Sequence, residues 1–203
     1  MEGVKRRTRS VYEKHAAAWD ARRGRSLFEK AWLDRLLART SPGNIILDVG
    51  CGAGEPIARY IMEQDRGICG LDFAEPMLAI ARQRFPAARW IQADMRALDL
   101  GEAFSGVVAW DSFFHLPPND QRRVIPRLAR HVAPGGGLLV TVGPSEGEVM
   151  GTVEGDPVYH ASLSIGEYEM RFREAGLEVA EFVAEDRECA GHSVLLAIRR
   201  AGP

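Results

Sequence analysis

Four aspartates stand at the ends of short apolar runs in the sequence: Asp48, Asp72, Asp94 and Asp111. Apolar runs of this length are typical of buried strands in a parallel sheet, and the carboxyl ends of parallel strands meet at one edge. The sequence therefore predicts an acidic rim at that edge of the sheet. Such a rim repels phosphate groups and attracts ammonium or sulfonium groups, so we expect its ligand to carry positive charge.

Residues 45–54 read IILDVGCGAG and position the first of these carboxylates. The apolar, β-branched half predicts a strand that is buried on both faces. Gly50, Gly52 and Gly54 allow a sharp turn and the close approach of a ligand, and helical spacing resumes after Glu55. A dinucleotide fingerprint requires glycine where Glu55 stands, and Asp48 would repel a pyrophosphate. The segment therefore predicts a strand, turn and helix that cradle a cationic, nucleotide-type ligand.

The stretch DVGCGAG at residues 48–54 resembles the first motif of the class I S-adenosylmethionine-dependent methyltransferases. In that family the motif binds the methionine end of the cofactor S-adenosylmethionine. The resemblance implies that the first set of cofactor-binding residues here is Asp48, Gly50, Cys51, Gly52 and Gly54. For Cys51 we also keep the simpler interpretation of a small, semi-apolar residue in the turn.

A second acidic strand end supports this resemblance. Asp72 follows Gly50 at the distance of one βαβ unit, where a carboxylate can accept hydrogen bonds from both ribose hydroxyls. Residues 72–77, DFAEPM, resemble the family's second motif, which implies that Phe73 and Met77 lie against the adenine. At the third strand end the resemblance implies that Asp94 binds the adenine amino group and the Met95 backbone N–H a ring nitrogen. The alternatives are a helix cap for Asp72 and an Asx turn for Asp94.

Asp111 and His115 follow the fourth predicted strand and are the candidate catalytic residues. Methyl transfer is an in-line displacement, to which orientation contributes on the order of 7 to 11 kcal/mol. A base adds about 10² to 10⁴ fold when the acceptor carries a proton. We expect His115 to be that base and Asp111 to orient it, or to hold the acceptor or the methionine ammonium of the cofactor. The competing interpretation is that His115 only caps the loop before Leu116.

Aromatic and titratable side chains in three separate segments are the candidates for acceptor binding: Tyr12, Trp19, Phe114, Tyr159 and His160. In the resembling family, helices before the first strand often lie over the cofactor, which implies a lid built from Tyr12, His15, Trp19 and Arg22. The alternative is that the lid aromatics only pack their helix onto the body of the protein. Residues 143–163 lack periodicity and predict an irregular insert over the acceptor site, where ordinary loop packing equally explains residues 159 and 160.

The elements that hold these residues predict a doubly wound α/β fold with a mostly parallel seven-stranded sheet. The resemblance implies the strand order 3-2-1-4-5-7-6, with an antiparallel last strand. Helices are predicted over residues 4–22 and from a capping box at 26–29 to the stop at 41–43, and they form an N-terminal helical cap. We expect a single class I methyltransferase domain over residues 1–203, with the cap at 1–41 and a Rossmann-like core at 44–199.

Composition fits a globular protein, with 203 residues, 46% of them hydrophobic, and a net charge of −2. No apolar run has the length of a membrane span, so we expect a cytoplasmic protein with no membrane partner, as a monomer or homodimer. The three cysteines lack C-x-x-C spacing and predict neither disulfides nor a metal site. The net charge argues against nucleic acid as a partner, although the basic cluster Lys5, Arg6, Arg7 and Arg9 would suit an anionic one.

These features together predict an S-adenosylmethionine-dependent methyltransferase that acts on a small-molecule acceptor. The fourth strand lacks the N/D-P-P-Y/F stretch of the enzymes that methylate adenine or glutamine amino groups, which disfavours a nucleic-acid substrate. Two other classes stay open. One is a non-catalytic module that binds S-adenosylmethionine, and the other is a nucleotide-dependent oxidoreductase, which Asp48 and Glu55 disfavour.

Overall fold

The structure is a computed structural model, and it describes residues 2–5 and 7–202. Three helices precede the sheet: α1 (Glu2–Lys5), α2 (Thr8–Arg22) and α3 (Lys30–Leu37). The predicted helical cap is therefore present, and Arg6 of the predicted basic cluster lies outside the described residues. The predicted capping box at residues 26–29 is wrong. α3 begins at Lys30, because Glu29 is buried in an ion pair with Arg23 at 2.8 Å and does not reach back to Ser26.

A seven-stranded sheet forms the body of the protein. An α-helix follows each of its first five strands except β3 and β5: β1 (Ile45–Val49), α4 (Ile57–Glu63), β2 (Gly67–Asp72), α5 (Glu75–Arg84), β3 (Arg89–Gln92), β4 (Phe104–Ala109), α6 (Pro118–Arg130) and β5 (Val132–Val142). The remaining elements are β6 (Gly147–Val153), β7 (Asp156–Ser162), α7 (Ile165–Glu174), β8 (Glu178–Asp186) and β9 (His192–Ile198). The strand order is β3-β2-β1-β4-β5-β9-β8, and β9 is antiparallel to its neighbours. This confirms the predicted order, in which β8 and β9 are the predicted sixth and seventh strands.

β1 lies in the middle of the sheet because its side chains are buried on both faces. Ile46 packs in one buried cluster, while Leu47 and Val49 pack in the other. β1 pairs in parallel with β2 on one side and with β4 on the other. The strand order reverses between these two neighbours, so the carboxyl end of β1 is the switch point at which open α/β sheets bind ligands.

Residues 143–163 are not an irregular insert, which corrects the prediction made from their lack of periodicity. β6 and β7 form an antiparallel hairpin whose turn residues, Glu154 and Gly155, have φ values of 51° and 83°. Two consecutive residues with positive φ are typical of a tight type I′ hairpin turn. β6 is exposed along most of its length, so it lacks the apolar alternation that marks a half-buried strand.

α2 is held against both this hairpin and α5 by ion pairs. The pairs are Arg22 with Glu154 at 2.7 Å, His15 and Lys14 with Asp156 at 2.7 and 2.9 Å, and Asp20 with Arg84 at 2.8 Å. They place α2 across the carboxyl edge of the sheet. Within the described ranges, none of the helices combines the length and the apolar character needed to cross a lipid bilayer.

Candidate active site

A narrow cavity of about 90 Å³, here called the strand-end cavity, lies at the switch point. It brings together most of the residues that the sequence predicts for cofactor and catalysis: Asp48, Gly50, Cys51, Gly52, Gly54, Asp72, Phe73, Met77, Met95, Asp111 and His115. Tyr12 and Trp19 from α2 complete its wall. The carboxyl ends of the strands and the helical cap therefore enclose one cavity, and the binding roles of these residues stay predictions.

The glycine turn after β1 is fixed by a close approach to the loop after β4. Gly50 has a φ of 80°, and a Cβ atom at this position would lie 2.2 Å from Cβ of Ser112. Ser112 is held there because its hydroxyl donates to the Val49 carbonyl oxygen at 2.7 Å. At Gly52, also with positive φ, a Cβ would meet no atom within 4 Å, so this backbone is open to a ligand.

Two buried carboxylates form the floor of the cavity. Asp72 accepts hydrogen bonds from the backbone N–H groups of Gly52 and Ala74 at 2.9 and 2.8 Å. No donor among the described residues hydrogen-bonds the carboxylate of Asp48. Burial, and then the nearby charge of Asp72, raise the pKa of Asp48 to about 7, and burial also raises the pKa of Asp72. The floor therefore holds more negative charge than the protein itself compensates.

His115 is a neutral imidazole whose tautomer follows from its partners. Its Nδ1 lies 2.9 Å from the Tyr159 carbonyl oxygen, which can only accept, so Nδ1 carries the proton. Nε2 then accepts from the Tyr12 hydroxyl, also at 2.9 Å. Burial lowers the pKa of His115 to about 4, which agrees with the neutral form. The lone pair on Nε2 of His115 therefore points toward the side of the strand-end cavity that Tyr12 lines.

Asp111 does not contact His115 as an orienting group, which corrects that part of the prediction. Oδ1 of Asp111 lies 3.0 Å from Nε2 of His192, and Oδ2 lies 4.0 Å from the guanidinium of Arg23. His192 also donates from Nδ1 to the Cys189 carbonyl oxygen at 2.9 Å. Both ring nitrogens of His192 face oxygen atoms, and the contact with Asp111 raises the pKa of His192, which favours the charged form of the ring.

Asp94 makes the Asx turn that was the alternative for it. Its carboxylate accepts from the backbone N–H of Arg96 at 2.9 Å and is bound by the Arg96 guanidinium. The hydrogen bonds from Arg96 outweigh burial and lower the pKa of Asp94. Asp94 lies outside the lining of the strand-end cavity, which Met95 reaches instead. The adenine contact of Asp94 therefore stays a prediction.

The candidates for acceptor binding divide between three places. Tyr12 and Trp19 line the strand-end cavity, while Phe114 and His160 line a second cavity beside it. The ring of Tyr159 is fully buried and lines neither cavity, which corrects the prediction that it faces substrate, and its carbonyl oxygen contacts His115. Consecutive residues of a strand point to opposite faces, so residues 159 and 160 of β7 cannot share one surface. His15 and Arg22 bind the hairpin and do not line the strand-end cavity.

Sequence reasoning missed two charged residues that shape this site. Arg23, one position after the predicted Arg22, lines the cavity and pairs with both Glu29 and Asp111. His192, at the start of β9, supplies the imidazolium beside Asp111. Neither has a local signal in the sequence, because both act through partners in distant elements.

The sequence of this chain is similar to those of known methyltransferases. Residues 46–136 match the family model described as "Methyltransferase domain". The chain is 35% identical over 141 residues to the dTDP-4-amino-2,3,4,6-tetradeoxy-D-glucose N,N-dimethyltransferase of Saccharopolyspora spinosa, covering 66% of this chain and 56% of that protein. It is 36% identical over 146 residues to the trans-aconitate 2-methyltransferase of Methylobacterium nodulans, covering 64% and 52%. The chain thus spans about half the length of the curated relatives it matches.

Solved structures confirm the predicted fold. The CcbJ methyltransferase from Streptomyces caelestis superimposes with a TM-score of 0.74 at 20% identity, covering 95% of this chain and 98% of that one. CalS10, an amino pentose methyltransferase from Micromonospora echinaspora whose structure contains S-adenosylmethionine, superimposes with a TM-score of 0.71 at 24% identity, covering 92% and 96%.

Proposed function

We propose, from the match of residues 46–136 to the methyltransferase domain model and from the fold, that this protein is an S-adenosylmethionine-dependent methyltransferase acting on a small-molecule acceptor. The relatives' names include N,N-dimethyltransferases of amino sugars and an O-methyltransferase, which supports nitrogen or oxygen as the acceptor atom. The cytoplasmic location, the single domain over residues 1–203, the absence of a nucleic-acid partner and the monomer or homodimer stay predictions.

The floor of the strand-end cavity is the observation that carries this proposal. Asp48 is buried, lacks a donor among the described residues, and faces a turn whose glycine backbone is open at Gly52. A buried carboxylate in this state is stabilised by a cation. The ammonium and sulfonium groups of S-adenosylmethionine supply that cation, whereas a dinucleotide would bring a pyrophosphate toward two carboxylates.

The remaining residues of the cavity fit the adenosine part of the same cofactor. Asp72 uses one lone pair on each oxygen for backbone N–H groups, so both oxygens keep a lone pair for the ribose hydroxyls. Phe73, Met77 and Met95 provide apolar surface for the adenine. Tyr12 and Trp19 close the cavity from α2, so this helix acts as the lid and moves to admit the cofactor.

When bound, S-adenosylmethionine supplies a methyl group on a sulfonium leaving group. His115 then positions the acceptor: its unprotonated Nε2 exchanges the Tyr12 hydroxyl for the acceptor's N–H or O–H and takes up the proton as the new bond to carbon forms. Nδ1 stays bonded to the Tyr159 carbonyl oxygen, which keeps the ring in this tautomer. Asp111, which lies between His192 and Arg23, orients the ammonium of the cofactor or of the acceptor.

Isothermal titration calorimetry with the purified protein tests the cofactor. We expect binding heat and thermal stabilisation with S-adenosylhomocysteine, and neither with NAD. Acceptors are then screened by the release of S-adenosylhomocysteine from S-adenosylmethionine. Binding of NAD without binding of S-adenosylhomocysteine would favour the oxidoreductase alternative, and binding without turnover of any acceptor would favour the non-catalytic module.

A further inference from the structure

Arg23 brings a positive charge into the wall of the strand-end cavity. It directly follows α2, and its backbone N–H donates to the Trp19 carbonyl oxygen at 2.7 Å, so Arg23 continues the last turn of this helix. Its side chain is 16% exposed, which removes most of the guanidinium from bulk water. The floor of the same cavity holds the buried carboxylates of Asp48 and Asp72. One cavity is therefore lined both by carboxylates and by a guanidinium.

The guanidinium of Arg23 is held in place by Glu29, which is fully buried immediately before α3. Nη2 of Arg23 lies 2.8 Å from Oε1 of Glu29 and 4.0 Å from Oδ2 of Asp111. The guanidinium carbon also lies over the ring of Phe28, 5.4 Å from its centroid. Both ion pairs use the same nitrogen, whereas a guanidinium has five N–H donors. Arg23 is therefore fixed by its neighbours and still keeps donors for a ligand in the cavity.

The cofactor of the proposed function brings two opposite charges to this cavity. S-adenosylmethionine ends in an α-amino acid group, with an ammonium and a carboxylate on the same carbon atom. The floor attracts the ammonium through Asp48 and Asp72, but the same two carboxylates repel the carboxylate of the cofactor. A cation in the same cavity offsets this repulsion. Arginine suits the task because its planar guanidinium can donate two parallel hydrogen bonds to one carboxylate.

We propose that Arg23 binds the α-carboxylate of S-adenosylmethionine and so selects for cofactors that carry this group. The inference rests on the proposed function and adds a specificity-determining residue to it. Glu29 is a positioning residue, because it holds Nη2 of Arg23 and does not itself line the cavity. The guanidinium is thereby oriented before the cofactor arrives, which lowers the entropic cost of binding.

A matched pair of ligands tests this role by isothermal titration calorimetry on the full chain. S-adenosylhomocysteine and S-adenosyl-3-thiopropylamine share the adenosine, the thioether and the ammonium, and differ only by the carboxylate. We expect the wild type to bind S-adenosylhomocysteine about 10 to 100 fold more tightly, because a hydrogen bond between charged groups is lost with the carboxylate. In Arg23→Gln this preference should shrink to less than about threefold. Equal binding of both ligands by the wild type, or an undiminished preference in Arg23→Gln, would overturn the proposal.

Arg22→Gln is the matched control for this variant. Arg22 is the neighbouring arginine, but its side chain is 73% exposed and pairs with Glu154 of the hairpin. Arg22→Gln should keep the wild-type preference, and a loss as large as that in Arg23→Gln would contradict the assignment to Arg23. Arg23→Lys should keep part of the preference, since lysine retains the charge but not the planar set of donors.

A double variant guards the test against loss of the fold. Arg23→Gln alone leaves Glu29 buried without its cation, which lowers stability, whereas Arg23→Gln/Glu29→Gln removes the ion pair as a unit. The double variant should lose the preference for S-adenosylhomocysteine as Arg23→Gln does. If the wild type binds neither ligand, the proposed function falls together with this inference. If the wild type binds S-adenosylhomocysteine and the double variant keeps the full preference, only the role of Arg23 falls.

Discussion

The floor of the strand-end cavity buries its carboxylates, whereas the outer wall holds a partly buried one, and the two regions place different partners around them. On the floor, Asp48 has no donor among the described residues, and its pKa rises to about 7 through burial and the charge of Asp72. On the wall, Asp111 lies between His192 and Arg23, which supply positive charge from two distant elements. The comparison indicates that uncompensated burial marks the place of a ligand, whereas compensated burial marks the framework that holds it.

The two histidines of the wall, His115 and His192, also differ in the partners that surround them. His115 and His192 each donate from Nδ1 to a backbone carbonyl oxygen at 2.9 Å. At Nε2 their partners differ, because the hydroxyl of Tyr12 can donate to His115, whereas the carboxylate of Asp111 can only accept from His192. Burial therefore keeps the His115 ring neutral, whereas the contact with Asp111 raises the pKa of His192.

The largest effect is expected for His115→Gln, which removes the neutral imidazole from the wall. Turnover should fall by about 10² to 10⁴ fold, because the acceptor loses the group that orients it and accepts its proton. Affinity for S-adenosylhomocysteine should stay unchanged. Turnover is measured by product release per folded molecule.

The control for this variant is His131→Gln. His131 is also buried and also hydrogen-bonded through both nitrogens, but it caps α6 away from the cavity. It should lower the thermal stability and leave turnover per folded molecule as in the wild type. Undiminished turnover in His115→Gln would end the catalytic role proposed for this residue.

Next in size is Asp48→Asn, which neutralises the floor. Affinity for S-adenosylhomocysteine should fall by roughly 10 to 100 fold, since a charge-assisted contact is worth about 1.5 to 3 kcal/mol. The ligand-free protein should become more stable at pH 8, by on the order of 2 to 4 kcal/mol, because a buried carboxylate no longer needs to ionise. Denaturant unfolding and calorimetry measure the two opposite changes.

Asp94→Asn is the matched control for the floor, because Asp94 is an aspartate that already has its own cation in Arg96. In Asp94→Asn, loss of the ion pair with Arg96 should not raise the free energy of unfolding at pH 8. If Asp48→Asn and Asp94→Asn change stability in the same direction, the contrast between compensated and uncompensated carboxylates is wrong.

A smaller effect is expected from pH alone. The folded-state pKa of Asp48, about 7, lies above the ordinary aspartate value of 3.8, so the ligand-free fold loses stability as pH rises between these values. Binding a cation favours the ionised form, so affinity for S-adenosylhomocysteine should weaken by up to about tenfold for each pH unit below 7. Calorimetry from pH 5.5 to 8.5 measures this slope. A slope that persists in Asp48→Asn would assign the linkage to another group.

The smallest effect concerns how α2 is held over the wall. Asp156 of the hairpin binds both Lys14 and His15, and Asp156→Asn weakens both contacts at an exposed site. S-adenosylhomocysteine should dissociate about two to three times faster, with little change in turnover. Stopped-flow displacement measures the rate. Slower dissociation would contradict the role of α2 as a lid.

The central part of the fold could be predicted because its signals are local. The apolar run of β1, the glycines that follow it and Asp72 at the next strand end each depend on a few neighbouring residues. Parallel strands then bring these ends together without further information. The predicted strand order and the set of residues around the strand-end cavity follow from this.

The parts that were missed depend on individual side-chain pairings, which hydrophobic patterns and motifs do not show. Glu29 does not form a capping box because Arg23 takes its carboxylate, and Asp94 is held by Arg96 before any ligand arrives. His192 reaches Asp111 only after β9 inserts beside β5. The hairpin was missed for a different reason, since β6 is solvent-exposed and carries no apolar alternation.

The carboxyl ¹³C signal of Asp48, followed through a pH titration with and without S-adenosylhomocysteine, measures directly whether the floor of the cavity awaits a cation. In the free protein the midpoint should lie near 7, and in the complex it should fall by at least about one pH unit. A midpoint that stays in place or rises on binding would contradict the account.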